Sequence, residues 1–217
     1  MRSPTLRRFG LLALASTLAA CGGSAPDAQP RAAAATTAAA DSQPPVSVPV
    51  PNPAADTLRS VVTSLAEGSC TTVRVDEETG GSTQECPGLG GYEVLVLDDD
   101  ARMSITLRAP DGAEQPLVLW GTITSAFSSL GDSLEWRVRG AGESAAPEAL
   151  IVEVRANESP EDPERVTVYR AVAKVGPGGS CVTHKLDAAA TRDQVLRAAD
   201  SAADSAADTP CLAPPGS

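Results

Sequence analysis

Aromatic residues are scarce in this chain: two Phe, two Trp and two Tyr in 217 residues. A core built from them is excluded, and Val, Leu, Ile and Ala must fill the interior. There is one histidine, His184, so no site built on several imidazoles can form. No Gly-x-Ser-x-Gly elbow, phosphate loop or dinucleotide fingerprint occurs, which removes the enzyme classes that announce themselves by those loops. No apolar run approaches the roughly 20 residues of a membrane-spanning helix. Positive charge is also short. With 17 Lys and Arg against 28 Asp and Glu, the net charge is −11, and so acidic a surface repels nucleic-acid phosphates. A nucleic-acid partner is therefore excluded from the expectations, and a cationic envelope protein is admitted.

What is present begins at the N-terminus. Arg2, Arg7 and Arg8 precede an uncharged stretch from Phe9 to Ala20, and Leu18-Ala19-Ala20-Cys21 follows as the end of that stretch. A cationic segment, a short apolar segment and small residues before a cleavage point are the parts of an export signal. Leu18 to Cys21 resembles the lipobox of bacterial lipoproteins, in which the cysteine is lipidated and the chain is cut just before it. The resemblance implies a signal peptide over 1–20, lipidation at Cys21 and a membrane partner reached through that lipid. The competing reading is an ordinary signal cut near Ala13-Leu14-Ala15, with Cys21 incidental. Gly22 follows the cysteine; Asp there would resemble an inner-membrane retention signal. The expectation is a lipid-anchored protein of the bacterial cell envelope, at the outer membrane and facing the periplasm.

Cysteine parity agrees. The chain has five cysteines, an odd number that would leave one thiol unpaired in an exported protein. Assigning Cys21 to lipid leaves Cys70, Cys86, Cys181 and Cys211. Sequence proximity favours Cys70–Cys86 and Cys181–Cys211, each closing a loop and each stabilising by about 3 kcal/mol. Their wide spacing lacks the close paired ligands of a zinc site, so neither metal nor cofactor is expected. Removal of Arg2, Arg7 and Arg8 with the signal would leave 14 basic and 28 acidic residues, a net charge of −14.

Residues 21–56 are dominated by Ala, Pro, Ser and Thr, with Pro44, Pro45, Pro49, Pro51 and Pro53 as punctuation. Such a segment has too little large apolar surface to offset its ordering entropy. A tether, part coil and part polyproline II, is expected there.

Residues 57–217 read as one disulfide-containing globular domain. Its segments carry strand periodicity, bounded by Gly, Pro and Asp. Arg59–Leu65 is ambiguous between strand and helix, Thr71–Val75 is a strand, and 76–84 is a polar loop. Tyr92–Leu97 is apolar on both faces, and in 102–108 Met103, Ile105 and Leu107 alternate with polar residues. Asp98-Asp99-Asp100 is expected as the hairpin turn between them. A strand is expected over Leu117–Ile123, followed by a connection whose Phe127 plugs the core. In 134–138, Leu134, Trp136 and Val138 should point inward and Glu135, Arg137 and Arg139 outward. Ala149–Ala156 repeats the pattern with Leu150, Val152 and Val154. After an acidic loop over 158–164, a long strand follows over 165–175, with a bulge near Tyr169-Arg170, and a last strand covers 181–186. A helix is expected over 188–207, begun by Thr191 and Gln194 as a capping box. The fold class is α+β but mainly β: an antiparallel sheet, sandwich or partly open barrel of about seven or more strands with a C-terminal helix.

Several features invite chemistry. Lone His184 lies on a strand beside Lys185 with no nucleophile motif, and reads as a surface strand residue. Pro87 to Gly91 is glycine-rich but precedes a strand, which suits a tight backbone approach. Asp98 to Asp100 and Asp76 to Glu78 lack the alternating ligands of a calcium loop and read as solvated turns. Outward Arg102, Arg108, Glu135, Arg137 and Arg139 suit cross-strand ion pairs.

At Gly91-Tyr92, Asp100 to Ser104, Leu130 to Arg137, Cys181 and Arg197 to Asp200, the domain resembles exported proteobacterial proteins. That resemblance implies an exported globular domain and carries no site residue with it. Two functions of different class follow: a non-catalytic binding or envelope-maintenance module, or an inhibitor of a cationic hydrolase such as a lysozyme. An enzyme with an unrecognised site is a third.

Overall fold

The computed structural model describes residues 57–142, 145–162 and 164–213. They belong to one compact unit, Pro49–Ser217. Cys21, the signal segment and the Ala/Pro-rich tether lie outside the described residues.

Among the described residues ten strands and two helical segments follow one another. They are β1 (Arg59–Ser64), β2 (Thr71–Val75), β3 (Ser82–Cys86), β4 (Glu93–Asp99), β5 (Arg102–Arg108) and β6 (Glu114–Pro116), then α1 (Leu119–Thr122), β7 (Ser128–Arg139), β8 (Ala146–Ala156), β9 (Thr167–Lys174), β10 (Cys181–Asp187) and α2 (Arg192–Asp204). One open sheet holds them in the order β10-β9-β8-β7-β5-β4-β3-β2, with β1 beside β7 and β6 beside β5. Every pairing is antiparallel except β5 with β7, which meet in parallel at the single pair Arg102 and Ser128. The fold is mainly β, mixed by that one pairing, and carries a C-terminal helix.

That single contact divides the sheet. Past it β7 leaves β5 and pairs instead with β1, from Ser133 to Val138. The two halves then face each other across one core: Val94, Val96, Ile105 and Leu107 from one, and Leu134, Trp136, Val138, Leu150, Val152 and Val154 from the other. All three inward residues expected in β7 are fully buried. Trp136 satisfies its indole N–H on Thr63 Oγ1 at 2.9 Å, as a buried tryptophan must.

The outer face of the β7–β9 half is covered by α2. Val195, Ala199, Ala202 and Ala203 pack on Ala149, Ile151 and Val172, and the small side chains let the helix lie close to the sheet. Glu135 and Arg137 do point away from the main core, but they are only 9% and 7% exposed because the helix covers them. The bulge expected near Tyr169-Arg170 is absent for the same reason. Ala171 and Ala173 face the main core and Val172 faces the helix, so both faces are buried without a bulge. Pairing of β9 with β8 is continuous, and the register shift lies in β10 between Val182 and His184.

Disulfides join Cys70 to Cys86 and Cys181 to Cys211. The first closes the β2–β3 hairpin at its base. The second ties the chain after α2 to β10, where Leu212 N–H also donates to the Val182 carbonyl at 2.7 Å. Thr191 caps α2 in the expected box with Gln194. The helix begins later than 188 because Asp187 accepts from the backbone of Ala189 and Ala190 in a preceding turn.

Four further boundaries shift. The loop from Asp76 ends at Gly81, since Ser82, Thr83 and Gln84 pair with β4. Asp98 and Asp99 remain in the strand, and the hairpin turn is Asp100-Ala101, both at positive φ. Leu117–Ile123 is not a strand. Leu117, Leu119 and Ile123 are buried at the expected spacing, but Val118 (φ 51°) and Gly121 (φ 88°) lie in the left-handed region and bend the chain. Phe127 does not plug the core; it stands on the surface.

Candidate functional site

The residues singled out by the sequence scatter. His184 is partly exposed, with Nδ1 3.0 Å from its neighbour Thr183 Oγ1. Among the described residues no three His, Cys, Asp or Glu side chains converge as metal ligands. Asp76 accepts from the backbone N–H groups of Glu78 and Thr79, and those bonds hold its carboxyl below the usual range; it organises its own turn. Gly88 makes the tight approach expected of its loop: a Cβ there would lie 1.7 Å from the Tyr92 carbonyl oxygen. The outward charges are paired. Arg108 meets Glu93 at 2.6 Å across β4 and β5, and Arg139 meets Glu148 and Asp204.

A concavity of about 330 Å³ at the start of α2 holds Glu135, Glu153, Arg170 and Arg192. Its charges pair with one another, and Arg170 Nη1 alone of them is buried without a protein partner among the described residues. Arg192 clamps Glu135 with both terminal nitrogens, and Arg170 meets Glu153 at 2.9 Å. That cluster joins helix to sheet.

The site that stands apart is built where the sheet folds. Trp120 and Phe127 are each 48% exposed, unusual for large rings in a chain with six aromatics. They flank Arg102, whose guanidinium carbon lies 4.6 Å from the Phe127 ring centre and 5.7 Å from that of Trp120. Arg102 also meets Asp100 at 2.5 Å, so its charge is matched locally while its guanidinium carbon lies over both rings.

Local forces hold the two rings outward. Leu117 and Leu119 are drawn into the core on either side of Val118, which forces that residue into a left-handed conformation costly for a β-branched side chain. Leu119 N–H donates to Ser104 Oγ at 3.0 Å, and Gly121 N–H to the Thr124 carbonyl at 2.8 Å. Asn157 N–H donates to the Phe127 carbonyl at 2.9 Å. Thr124 and Tyr169 both donate to Glu158 Oε1, at 2.8 and 3.1 Å. Burial, with Glu158 beside it, raises the Tyr169 phenol above its ordinary value.

Concavities open on both sides of Phe127. One of about 520 Å³ runs past Arg102, Ser125, Asn157, Glu158 and Pro160. The other, about 420 Å³, runs past Met103, Ser129, Arg155, Glu164 and Val166. Both fall within the size of ligand clefts. Three of the four buried side-chain polar atoms without a protein partner among the described residues are also at this fold: Asp98 Oδ1, Arg102 Nε and Ser128 Oγ. Buried polar atoms are normally paired, so their grouping sets the corner apart from the rest of the domain. What it offers is stacking surface, apolar hollows and a few hydrogen-bonding groups, which is the chemistry of a binding surface.

The sequence alone places Phe127 in the core and Trp120 on a strand over Leu117–Ile123 with no direction assigned to its ring. The available signal was scarcity, because an aromatic-poor chain that keeps Trp120 next to a glycine marks a turn rather than a strand.

Comparison with protein-family models, curated proteins and solved structures finds no match. The functional reading therefore stands on the site itself.

Proposed function

We propose that the chain is a lipid-anchored cell-envelope protein, held at the outer membrane on the periplasmic side, whose folded domain is a non-catalytic binding module. The anchor rests on Leu18-Ala19-Ala20-Cys21 and on the even number of cysteines it leaves. The observation that carries the binding role is the exposed Trp120–Arg102–Phe127 stack between two concavities.

Position supports the same reading. The chain enters the domain at β1, where Arg59 pairs with Val138. Phe127 immediately precedes Ser128, at the other end of β7. At about 3.4 Å per residue the strand separates the two points by on the order of 30 Å. A domain held by its N-terminal segment thus carries its aromatic surface remote from the point of attachment.

The second reading, an inhibitor of a cationic hydrolase, is favoured by the acidity of the chain, net −11. One experiment addresses anchor and site together. The full chain, its Cys21→Ser variant and its Phe127→Ala variant are expressed with a labelled fatty acid, fractionated, and used to capture envelope proteins. Cys21→Ser should lose label and membrane retention, and Phe127→Ala should keep both and lose the captured partner. Membrane retention of Cys21→Ser would refute the anchor. Unchanged capture by Phe127→Ala would refute the site. A captured hydrolase whose activity falls on binding would select the inhibitor.

A further inference from the structure

We infer that the surface around Phe127 docks a cationic polypeptide segment, one in which basic residues flank an aliphatic anchor. The inference rests on the binding role proposed above and names the chemistry of the partner.

Charge around the ring is the first ground. Asp98, Asp99 and Asp100 end the β4–β5 hairpin on one side, and Glu158, Glu161, Asp162 and Glu164 stand in the loop on the other. Of these seven acids Asp98, Glu158 and Glu164 line the two hollows, and the same segments, with β5's first residue and β8's end, carry Arg102, Arg155 and Arg165. Two of those arginines are committed, Arg102 to Asp100 at 2.5 Å and Arg155 to Glu153 at 2.6 Å. The rim therefore presents unneutralised carboxylates. Glu164 lines the hollow of about 420 Å³, and exposed Glu161 stands three residues before it in the same loop.

The second ground is the apolar floor between those carboxylates. Phe127 and Val166 are both about half exposed, and Phe127 separates the two hollows. An aliphatic side chain entering a hollow beside the ring would place neighbouring residues of an extended segment over the acidic rim, since successive side chains alternate. Basic residues at those neighbouring positions complete the match in shape and charge.

Charge also decides between this occupant and a membrane. Exposed Trp and Phe suit a bilayer interface, but an anionic leaflet is repelled by a rim of net negative charge. A neutral glycan would stack on the rings without using the rim, and its binding would be indifferent to salt.

The test uses the full chain and fluorescent peptides. One alternates lysine with leucine, a second alternates glutamate with leucine, and a third alternates lysine with glycine. The lysine–leucine peptide should bind at least about tenfold tighter than either other peptide, and should weaken about tenfold as salt rises from about 0.05 to about 0.5 M. Phe127→Ala should weaken it about fivefold or more, as loss of an apolar anchor does. Glu161→Gln with Glu164→Gln should weaken it severalfold and flatten the salt dependence. Val62→Ala, which trims an exposed apolar residue of β1, serves as the control and should leave affinity unchanged. The inference is overturned if the glutamate–leucine peptide binds as well, if salt has no effect, if Phe127→Ala binds normally, or if anionic vesicles compete. Envelope capture that depends on Phe127 without any lysine–leucine binding overturns the cationic occupant and leaves the binding role standing. Capture that ignores Phe127 removes both.

Discussion

Arg137 of β7 donates from Nε to Asp200 Oδ1 of α2 at 2.6 Å, bridging sheet and helix beneath the helix's own cover. The same guanidinium donates to Ser60 Oγ at 2.7 Å and to the Leu58 carbonyl at 3.3 Å. Two similar bonds flank it on the same strand: Arg192 on Glu135, and Arg139 on Asp204. Among these three pairs the β7 partners read minus, plus, plus along the strand and the α2 partners plus, minus, minus along the helix. Reversing the helix would set Arg192 beside Arg139, so the pattern selects one direction and register for a helix whose alanine face specifies little by itself. Asp200→Ala leaves the buried guanidinium short of one partner and should cost about 1–3 kcal/mol, read as a lower urea midpoint. Arg137→Met with Asp200→Leu should recover most of that loss, because a buried pair can be replaced by apolar groups of similar volume. Full stability of Asp200→Ala would reduce the bond to an ordinary surface pair.

Glu135 ties the same network to pH. Burial works against its charge, but hydrogen bonds from Arg192 and Ser60 outweigh burial and hold its carboxyl below its ordinary value of 4.5. A carboxyl depressed in the folded state contributes stability that is fully present above 4.5 and is lost as pH falls through the folded value. Glu135→Gln should therefore be less stable than the parent near neutrality. The gap should narrow as pH drops below 4.5, as measured by urea unfolding at a series of pH values. A gap that is constant with pH would show that Glu135 acts by packing alone.

Much of this fold was legible in the residues because one physical rule dominates a half-buried strand. Leu134, Trp136 and Val138 alternate with charged residues, and alternation states which face is dry. Thr191 and Gln194 marked the start of α2 because a capping box is a local device, complete within four residues. The cysteine pairs were legible because each closes a short span. What the pattern did not contain was the second layer. Nothing near Glu135 or Arg137 says that a helix more than fifty residues later will cover them, so they read as exposed. Tyr169 to Ala173 failed for the same reason, since a strand buried on both faces has no alternation to read. The aromatic corner was missed by a different route. Leu117, Leu119 and Ile123 obey the strand period while the backbone turns at Val118 and Gly121, so burial was legible there and direction was not.

Val118 gives the last expectation. It holds φ 51° and ψ 51°, a conformation that costs an ordinary residue about 1–2 kcal/mol and a β-branched one no less. Its side chain is about half exposed, so packing does not require valine. Neighbouring Leu117 and Leu119, both buried, hold the backbone in place and make the strain a cost of turning Trp120 outward. Asparagine tolerates the left-handed region and frees less of the unfolded chain than glycine would. Val118→Asn should therefore raise stability by about 1 kcal/mol in urea unfolding, with Trp120 fluorescence unchanged because the loop keeps its path. A destabilised Val118→Asn would instead mean that the valine methyl groups support the Trp120 ring, and that the aromatic corner includes Val118 as part of its surface.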